Sequence, residues 1–260
     1  MTKIEVKNLG YSYRNSPNLV IHDINLCIEK PGLYCIIGPN GVGKSTFIKC
    51  MNKIFTPVTG QVLLDGRDIK ELSLKEISSK IGYVPVTTDN VFTMPVIDAI
   101  LLGRQAHGSL RTSKEDLEIV TRVMKMMGLE ELSMRSFNHL SAGQHQKVAI
   151  ARGIAQKTPI LILDEPTANL DVKHQVYVTE LLRGLAQRDG KIIIMISHDI
   201  NIAAKYAHEV IVMENGTVSQ VGPSEKVITE ELINRIYNVD CRIVNDEGKP
   251  HVILGSVLSL

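Results

Sequence analysis

The residues Gly38-Pro39-Asn40-Gly41-Val42-Gly43-Lys44-Ser45-Thr46 have the types and spacing to hold a polyphosphate. They separate an apolar run, Leu33 to Ile37, from a helix-compatible segment, Phe47 to Asn52. The pattern G-x-x-x-x-G-K-S therefore falls between a strand and a helix, the context in which it binds phosphate. Its glycines let the backbone curl until successive N–H groups face one concave space, and the helix N-terminus adds its dipole there. Lys44 is placed to reach the β- and γ-phosphates, and the Ser45 hydroxyl to bind Mg²⁺. A second apolar run, Ile160 to Leu163, ends in Asp164 and Glu165. Ligands bind at the C-terminal ends of parallel strands. There one acid can hold Mg²⁺, directly or through water, while the other orients and deprotonates an attacking water. His198 follows a third apolar run, Lys191 to Ile196, where an imidazole can bridge water and the γ-phosphate.

Leu140-Ser141-Ala142-Gly143-Gln144 precedes a helical pattern with Val148, Ala151, Ile154 and Ala155 on one face. Ser141 with Gln144 forms a capping box, a physically complete role by itself. The helix N-terminus, hydroxyl and small residue also suit a phosphate. Since the first loop already takes one side of a nucleotide, this second anion site makes sense when another subunit supplies it.

These residues need a scaffold of strand ends and helix starts. Lys3 to Lys7 and Ile24 to Glu29 alternate as strands, with a turn cluster at Asn15 to Asn18 between them. Gln61 to Leu64, the Asp65-Gly66 turn and Arg67 to Ile69 make a hairpin, as do Val210 to Met213, Asn215-Gly216 and Thr217 to Val221. Ile81 to Pro85 is a short strand. From Val86 to about Ser136 the pattern turns helical, with loop signals at Gly103 and His107 to Ser109. Ser113 to Asp116 opens a helix whose Leu117, Val120, Val123, Met124 and Met127 share a face, closed by Gly128. Val176, Leu181, Leu182 and Leu185 mark a further helix, and Glu230 to Tyr237 reads as a surface helix. The last twenty residues carry no motif. The predicted fold is α/β: a core with a mainly parallel sheet, an N-terminal antiparallel β subdomain and an inserted helical subdomain at about 86–155.

With 260 residues the chain can bury a large core, and a net charge of +1 with 4% aromatic residues and no Trp argues against nucleic acid as a partner. Cys27, Cys35, Cys50 and Cys241 form no C-x-x-C pair, so buried thiols in a reducing compartment are expected, with neither a disulfide frame nor a zinc site. No signal-peptide pattern opens the sequence, and no run approaches the ~20 apolar residues of a membrane helix. A cytoplasmic protein that meets a membrane only through partners is the expectation.

The five motifs G-P-N-G-V-G-K-S-T, L-S-A-G-Q, L-I-L-D-E-P, A-N-L-D and S-H-D occur in the order and approximate spacing of an ABC ATPase, the nucleotide-binding subunit of ABC transporters. The resemblance covers the chain to about Tyr237. It implies a single domain over 1–240, an extension at 241–260, and ATP with Mg²⁺ as ligands. It further implies that Tyr13, with Tyr11 as the alternative, stacks on adenine. Asp164 resembles the magnesium-side acid, Glu165 the catalytic base, Asp171 the D-loop acid of the subunit interface and His198 the switch histidine. Two copies would join head to tail, each ATP lying between one phosphate loop and the partner's Ser141, Gly143 and Gln144. Permease subunits in the membrane, and indirectly a substrate-binding protein, are the further implied partners. The chain would then sit on the inner face of the cell membrane.

Two positions depart from that family. Ala142 replaces the commoner signature glycine, and Val86 stands where a glutamine usually touches Mg²⁺ and water; valine cannot hydrogen-bond there, so either Thr87 or Thr88 partly substitutes or coupling tolerates the loss. Met94 to Arg104, Asp171 to Gln175 and His198 to Ala203 look like the ATPases of importers for iron–siderophore complexes, haem and cobalamin. A non-transport ABC ATPase, such as an iron–sulfur assembly scaffold, is the alternative.

Overall fold

The computed structural model describes residues 2–14, 16, 18–86, 93–107 and 112–258. Thr87 and Thr88, with Asn15, Pro17, Gly108 and Ser109 of the expected turns, lie outside them. In chain order the elements are β1 (Ile4–Tyr11), β2 (Ile21–Ile28), β3 (Gly32–Ile37), α1 (Lys44–Met51), β4 (Thr59–Leu64) and β5 (Arg67–Asp68). There follow α2 (Leu74–Lys80), β6 (Ile81–Val84), α3 (Val96–Leu101), α4 (Lys114–Met127), α5 (Ala142–Ala155), β7 (Ile160–Leu163) and α6 (Val172–Arg188). The chain ends with β8 (Ile192–Ile196), α7 (Ile200–Tyr206), β9 (Glu209–Glu214), β10 (Thr217–Gly222), α8 (Ser224–Val227), α9 (Glu230–Tyr237), β11 (Val239–Asp246) and β12 (Lys249–Val257). It divides into two compact units, one made of Met1–Leu72 with Thr179–Leu260, the other of Ser73–Val178.

The first unit holds the expected antiparallel sheet, in the order β2-β1-β4-β5. Beside it β3 pairs in parallel with both β8 and β9, and β10 closes on β9 as an antiparallel hairpin. Every residue of β3 and β8 is buried. Strands covered on both faces read as continuous apolar runs, and each isoleucine so buried contributes roughly 1.5–3 kcal/mol. The register sets Ile36 opposite Ile196, so the loops after β3 and β8 leave the sheet at one edge. Helix α9 is the expected surface helix, burying Leu232, Ile233 and Ile236 on one face and exposing Glu230, Glu231 and Arg235 on the other. The motif-free C-terminus forms the β11–β12 hairpin.

In the second unit β6 and β7 pair in parallel, with Val84 opposite Leu163. Three of its helices open with complete capping boxes: Ser73 with Glu76 in α2, Ser113 with Asp116 in α4, and Ser141 with Gln144 in α5. Along α4 the buried face is Ile119, Val120, Val123, Met124 and Met127; Leu117 is exposed, because the covered stripe lies one position further round the helix than expected. Gly103 is no loop signal either. It belongs to a 3-10 turn over Leu102–His107, and a Cβ there would lie 2.3 Å from the Arg152 carbonyl oxygen. Arg104 in the same turn donates to Asp116 (2.8 Å) and to the Ala155 carbonyl (2.8 Å), tying α4 to α5. That guanidinium, followed by the Ser113 N–H and hydroxyl, holds the Asp116 carboxyl well below the usual carboxylate range.

Three of the four cysteines are buried thiols; Cys27, on the outward face of β2, is exposed. No helix among the described residues is long and apolar enough to cross a membrane.

Candidate nucleotide site

In the first unit the phosphate loop joins β3 to α1, and its shape depends on two glycines. Gly38 has φ 150° and a Cβ there would stand 2.3 Å from the Met213 carbonyl oxygen. Gly43 has φ 103° and a Cβ there would meet Ile21 Cγ2 at 2.4 Å. Gly43 also occupies the N-cap of α1, so no side chain takes up the helix's first N–H groups. The helix start, with its dipole, favours an anion beside it. Lys44 is buried and donates to the carbonyls of Gly38 (2.7 Å) and Pro39 (2.9 Å), which folds its ammonium over the loop.

Tyr13 shares a hydrogen bond with Thr46 of the loop (2.9 Å between hydroxyls), while its ring remains exposed. Tyr11 instead stacks on Phe55 at 4.9 Å, with 4° between the planes. Tyr13 also meets Tyr11 and Phe55 in T-shaped contacts, but of the two tyrosines it is the exposed one and the one hydrogen-bonded to the phosphate loop. His198 follows β8, and the Ser197 N–H donates to the Ile36 carbonyl (3.1 Å), so the histidine leaves the sheet beside the end of β3. Its side chain is exposed.

Tyr237 was not marked by the sequence. At the end of α9 its hydroxyl accepts the Gly38 N–H (3.1 Å), fixing the first residue of the phosphate loop. Burial pushes this phenol up to about 12, with the Gly38 N–H pulling the other way. The signal that could have found it is the lone aromatic on the apolar stripe Leu232, Ile233, Ile236.

The second unit assembles a separate group. Asp164 is buried after β7 and its N–H donates to the Val84 carbonyl (2.8 Å), extending the ladder by one bond. Glu165 follows with φ 50°, a left-handed conformation that costs a non-glycine residue roughly 1–2 kcal/mol. Strain of this kind persists where the surroundings impose it, often at functional positions. The hydroxyl of Tyr83 on β6 is buried without a hydrogen bond of ordinary geometry among the described residues. Burial and then the Asp164 carboxylate keep that phenol protonated. Val86, half-buried, continues from β6 and offers no polar atom.

Ser141 caps α5 by accepting the Gln144 N–H (3.3 Å), and Gln144 Oε1 accepts the Ser141 N–H in return (3.0 Å). At Gly143 an added Cβ would lie 3.0 Å from the Asn169 carbonyl oxygen, so the start of α5 runs close against the segment leading to Asp171. Asp171 accepts from the His174 N–H (2.9 Å) and lies 2.7 Å from His174 Nδ1, which caps α6. The backbone bond and then the imidazole lower the Asp171 carboxyl.

A family model described as ABC transporter matches residues 21–168, more than half of the chain. The chain belongs to the ABC transporter family. It is similar to the iron(3+)-hydroxamate import ATP-binding protein FhuC of Bacillus subtilis, 35% identical over 248 residues, covering 95% of this chain and 91% of that one. It is also similar to the ferric enterobactin transport ATP-binding protein FepC of Escherichia coli, 38% identical over 235 residues, covering 88% and 87%. Among solved structures, a dimeric ATP-binding cassette in a post-hydrolysis state with ADP and Pi superposes with a TM-score of 0.75 at 28% identity, covering 85% of this chain and 98% of that one. The expected α/β fold with a mainly parallel sheet is thus found, and the chain is an ATP-hydrolysing subunit of an ABC transporter. Within this ABC ATPase the first unit brings together Tyr13, Gly38 to Thr46 and His198. The second carries Asp164 and Glu165 at the end of β7, and Ser141, Gly143 and Gln144 at the start of α5 close to the segment leading to Asp171.

Proposed function

We propose that the ABC ATPase couples ATP hydrolysis to import of an iron complex, siderophore or haem, or of cobalamin. The N–H groups of Gly38 to Thr46 and the Lys44 ammonium hold the phosphates, and Tyr13 presents its exposed ring to adenine. Ser45 and Asp164 supply the hard oxygen donors that suit Mg²⁺, Asp164 being a buried carboxylate with the Tyr83 phenol beside it. Mg²⁺ would neutralise charge on the β- and γ-oxygens. Glu165 orients and deprotonates the attacking water, and His198 bridges that water and the γ-phosphate. Ser141, Gly143 and Gln144 of a second, head-to-tail copy cap the opposite side of the ATP, with Asp171 at the interface. The domain carries an inserted helical subdomain at about 86–155, the chain joins permease subunits at the inner face of the membrane, and the substrate-binding protein acts through those permeases. Residues 241–260 extend the domain.

One observation carries this reading: a phosphate loop in which a Cβ at Gly38 or at Gly43 would collide leads straight into a helix whose N-cap is itself a glycine. The imported cargo rests on the named relatives, which move iron chelates. Glu165→Gln tests the chemistry. It should retain ATP binding, hydrolyse slowly and accumulate as a dimer with ATP; ordinary turnover would remove Glu165 as the base.

A further inference from the structure

Two features of the first unit have no part in the site as described: the β11–β12 hairpin, and Asn201, three residues after His198. They meet. The Val252 N–H of β12 donates to Asn201 Oδ1 (2.7 Å), and Asn201 Nδ2 donates back to the Val252 carbonyl (3.1 Å). A side-chain amide thus offers the donor and acceptor of a strand residue to the outer edge of β12. On the opposite edge of the hairpin the Ile243 N–H is taken by Glu230 (2.9 Å). Val252 itself is buried.

The other end of the histidine loop is fixed as well. Ser197 is buried, its N–H donates to β3 at Ile36 (3.1 Å), and its hydroxyl donates to the Asp199 carbonyl (2.9 Å). Asp199 caps α7 by accepting the Ile202 N–H (3.0 Å). At seven residues, α7 is too short to hold its own geometry by propensity. His198 therefore lies on a span with one end tied to the central strands and the other to the hairpin. Lys205 and Asp246, 3.2 Å apart and about half exposed, add little to that second tie.

We propose that the C-terminal hairpin is a splint for the histidine loop and that Asn201 is the positioning residue through which it acts. The inference rests on His198 serving the γ-phosphate, and its test separates the two. In the full-length chain, Asn201→Ala, Asn201→Asp, His198→Ala and the double variant Asn201→Ala/His198→Ala are compared. The readouts are steady-state and single-turnover ATP hydrolysis, binding of a fluorescent ATP analogue, and thermal midpoint.

Displacing a reacting group by about 1 Å can cost on the order of a hundredfold in rate. Asn201→Ala should therefore lower kcat by roughly tenfold or more while ATP-analogue affinity stays near wild type. In the His198→Ala background the same change should cost nothing further, since coupled residues are non-additive. Asn201→Asp keeps the acceptor for the Val252 N–H and loses the donor, so its kcat should fall in between; it also provides the measurement if the alanine variant does not fold. Wild-type kcat in folded Asn201→Ala would overturn the proposal, as would an equal loss in both backgrounds, which marks a merely structural role. Full activity in His198→Ala would refute the assignment of the histidine itself, and the splint with it.

Discussion

Replacing Tyr237 with phenylalanine removes one oxygen and leaves the ring that α9 buries. The Gly38 N–H, bonded to that oxygen at 3.1 Å, then has no acceptor at the start of the phosphate loop. An unpaired buried donor costs about 1–3 kcal/mol. For a chain of this size each kcal/mol moves the thermal midpoint by roughly 2–4 °C, so a fall of several degrees is expected in calorimetry without nucleotide. The natural comparison is Tyr34→Phe, whose hydroxyl donates to the Lys30 carbonyl (2.9 Å) away from the loop. Both variants should lose stability, but only Tyr237→Phe should also weaken ATP-analogue binding, because only it releases the loop. Alkaline titration adds a second check. The folded phenol keeps its proton to about 12 while the unfolded one ionises near 10.0, so its contribution is complete below pH 10 and is lost as pH rises towards 12. Tyr237→Phe should flatten that part of the stability curve. Equal midpoints for wild type and variant, with equal nucleotide affinity, would refute the reasoning.

Gly43→Ala should abolish nucleotide binding in a folded protein, because its Cβ would collide with Ile21 at 2.4 Å; equilibrium binding with a fluorescent analogue checks this. On the proposal that Ser141 acts on the partner's ATP, Ser141→Arg should stop turnover yet spare analogue binding; loss of binding in the same chain would contradict a site completed in trans. Val86→Gln should raise transport-linked hydrolysis in the assembled transporter, measured against the wild-type complex in vesicles, and no change would mean another group performs the glutamine's role. Burial pushes the Cys35 and Cys50 thiols up to about 12 from 9.0. The folded state therefore holds protons that the unfolded chain gives up, and the thermal midpoint should fall as pH rises from 9 towards 12, with Cys35→Ala showing a shallower decline.

The family and its α/β fold with a phosphate loop between strand and helix were legible in the sequence. A lysine and serine after spaced glycines and a histidine after a second apolar run can be placed from residue type and order, because the parallel strands β3 and β8 bring their C-terminal ends to one edge. What was not legible depends on approaches between distant segments. Tyr237 lies 199 residues from Gly38 and Asn201 lies 51 from Val252, and neither pair leaves a local pattern. Gly103 was misread for the same reason: only the nearness of the Arg152 carbonyl shows why a side chain is excluded. Leu117 and Cys27 failed differently. Leu117 lies on a helical pattern whose phase fits burial, but the neighbouring element decides which residue is covered; Cys27 alternates with the buried Leu26 and Ile28, so its phase already pointed outward and residue type misled.

The three capping boxes of the second unit differ in one atom's charge. Helices α2 and α4 close theirs with Glu76 and Asp116, whereas α5 uses Gln144 and has no acid in its first turn. A carboxylate and an amide satisfy the same N–H, but only the carboxylate cancels the positive end of the helix dipole. The first turn of α1 is likewise free of acids. Neutral capping thus separates two tasks that a helix start usually performs together, closing its own hydrogen bonds and discharging its own field. In α5 the first is done and the second is left for an incoming anion, so a single exchange, Gln144→Glu, would keep the helix and discharge the field.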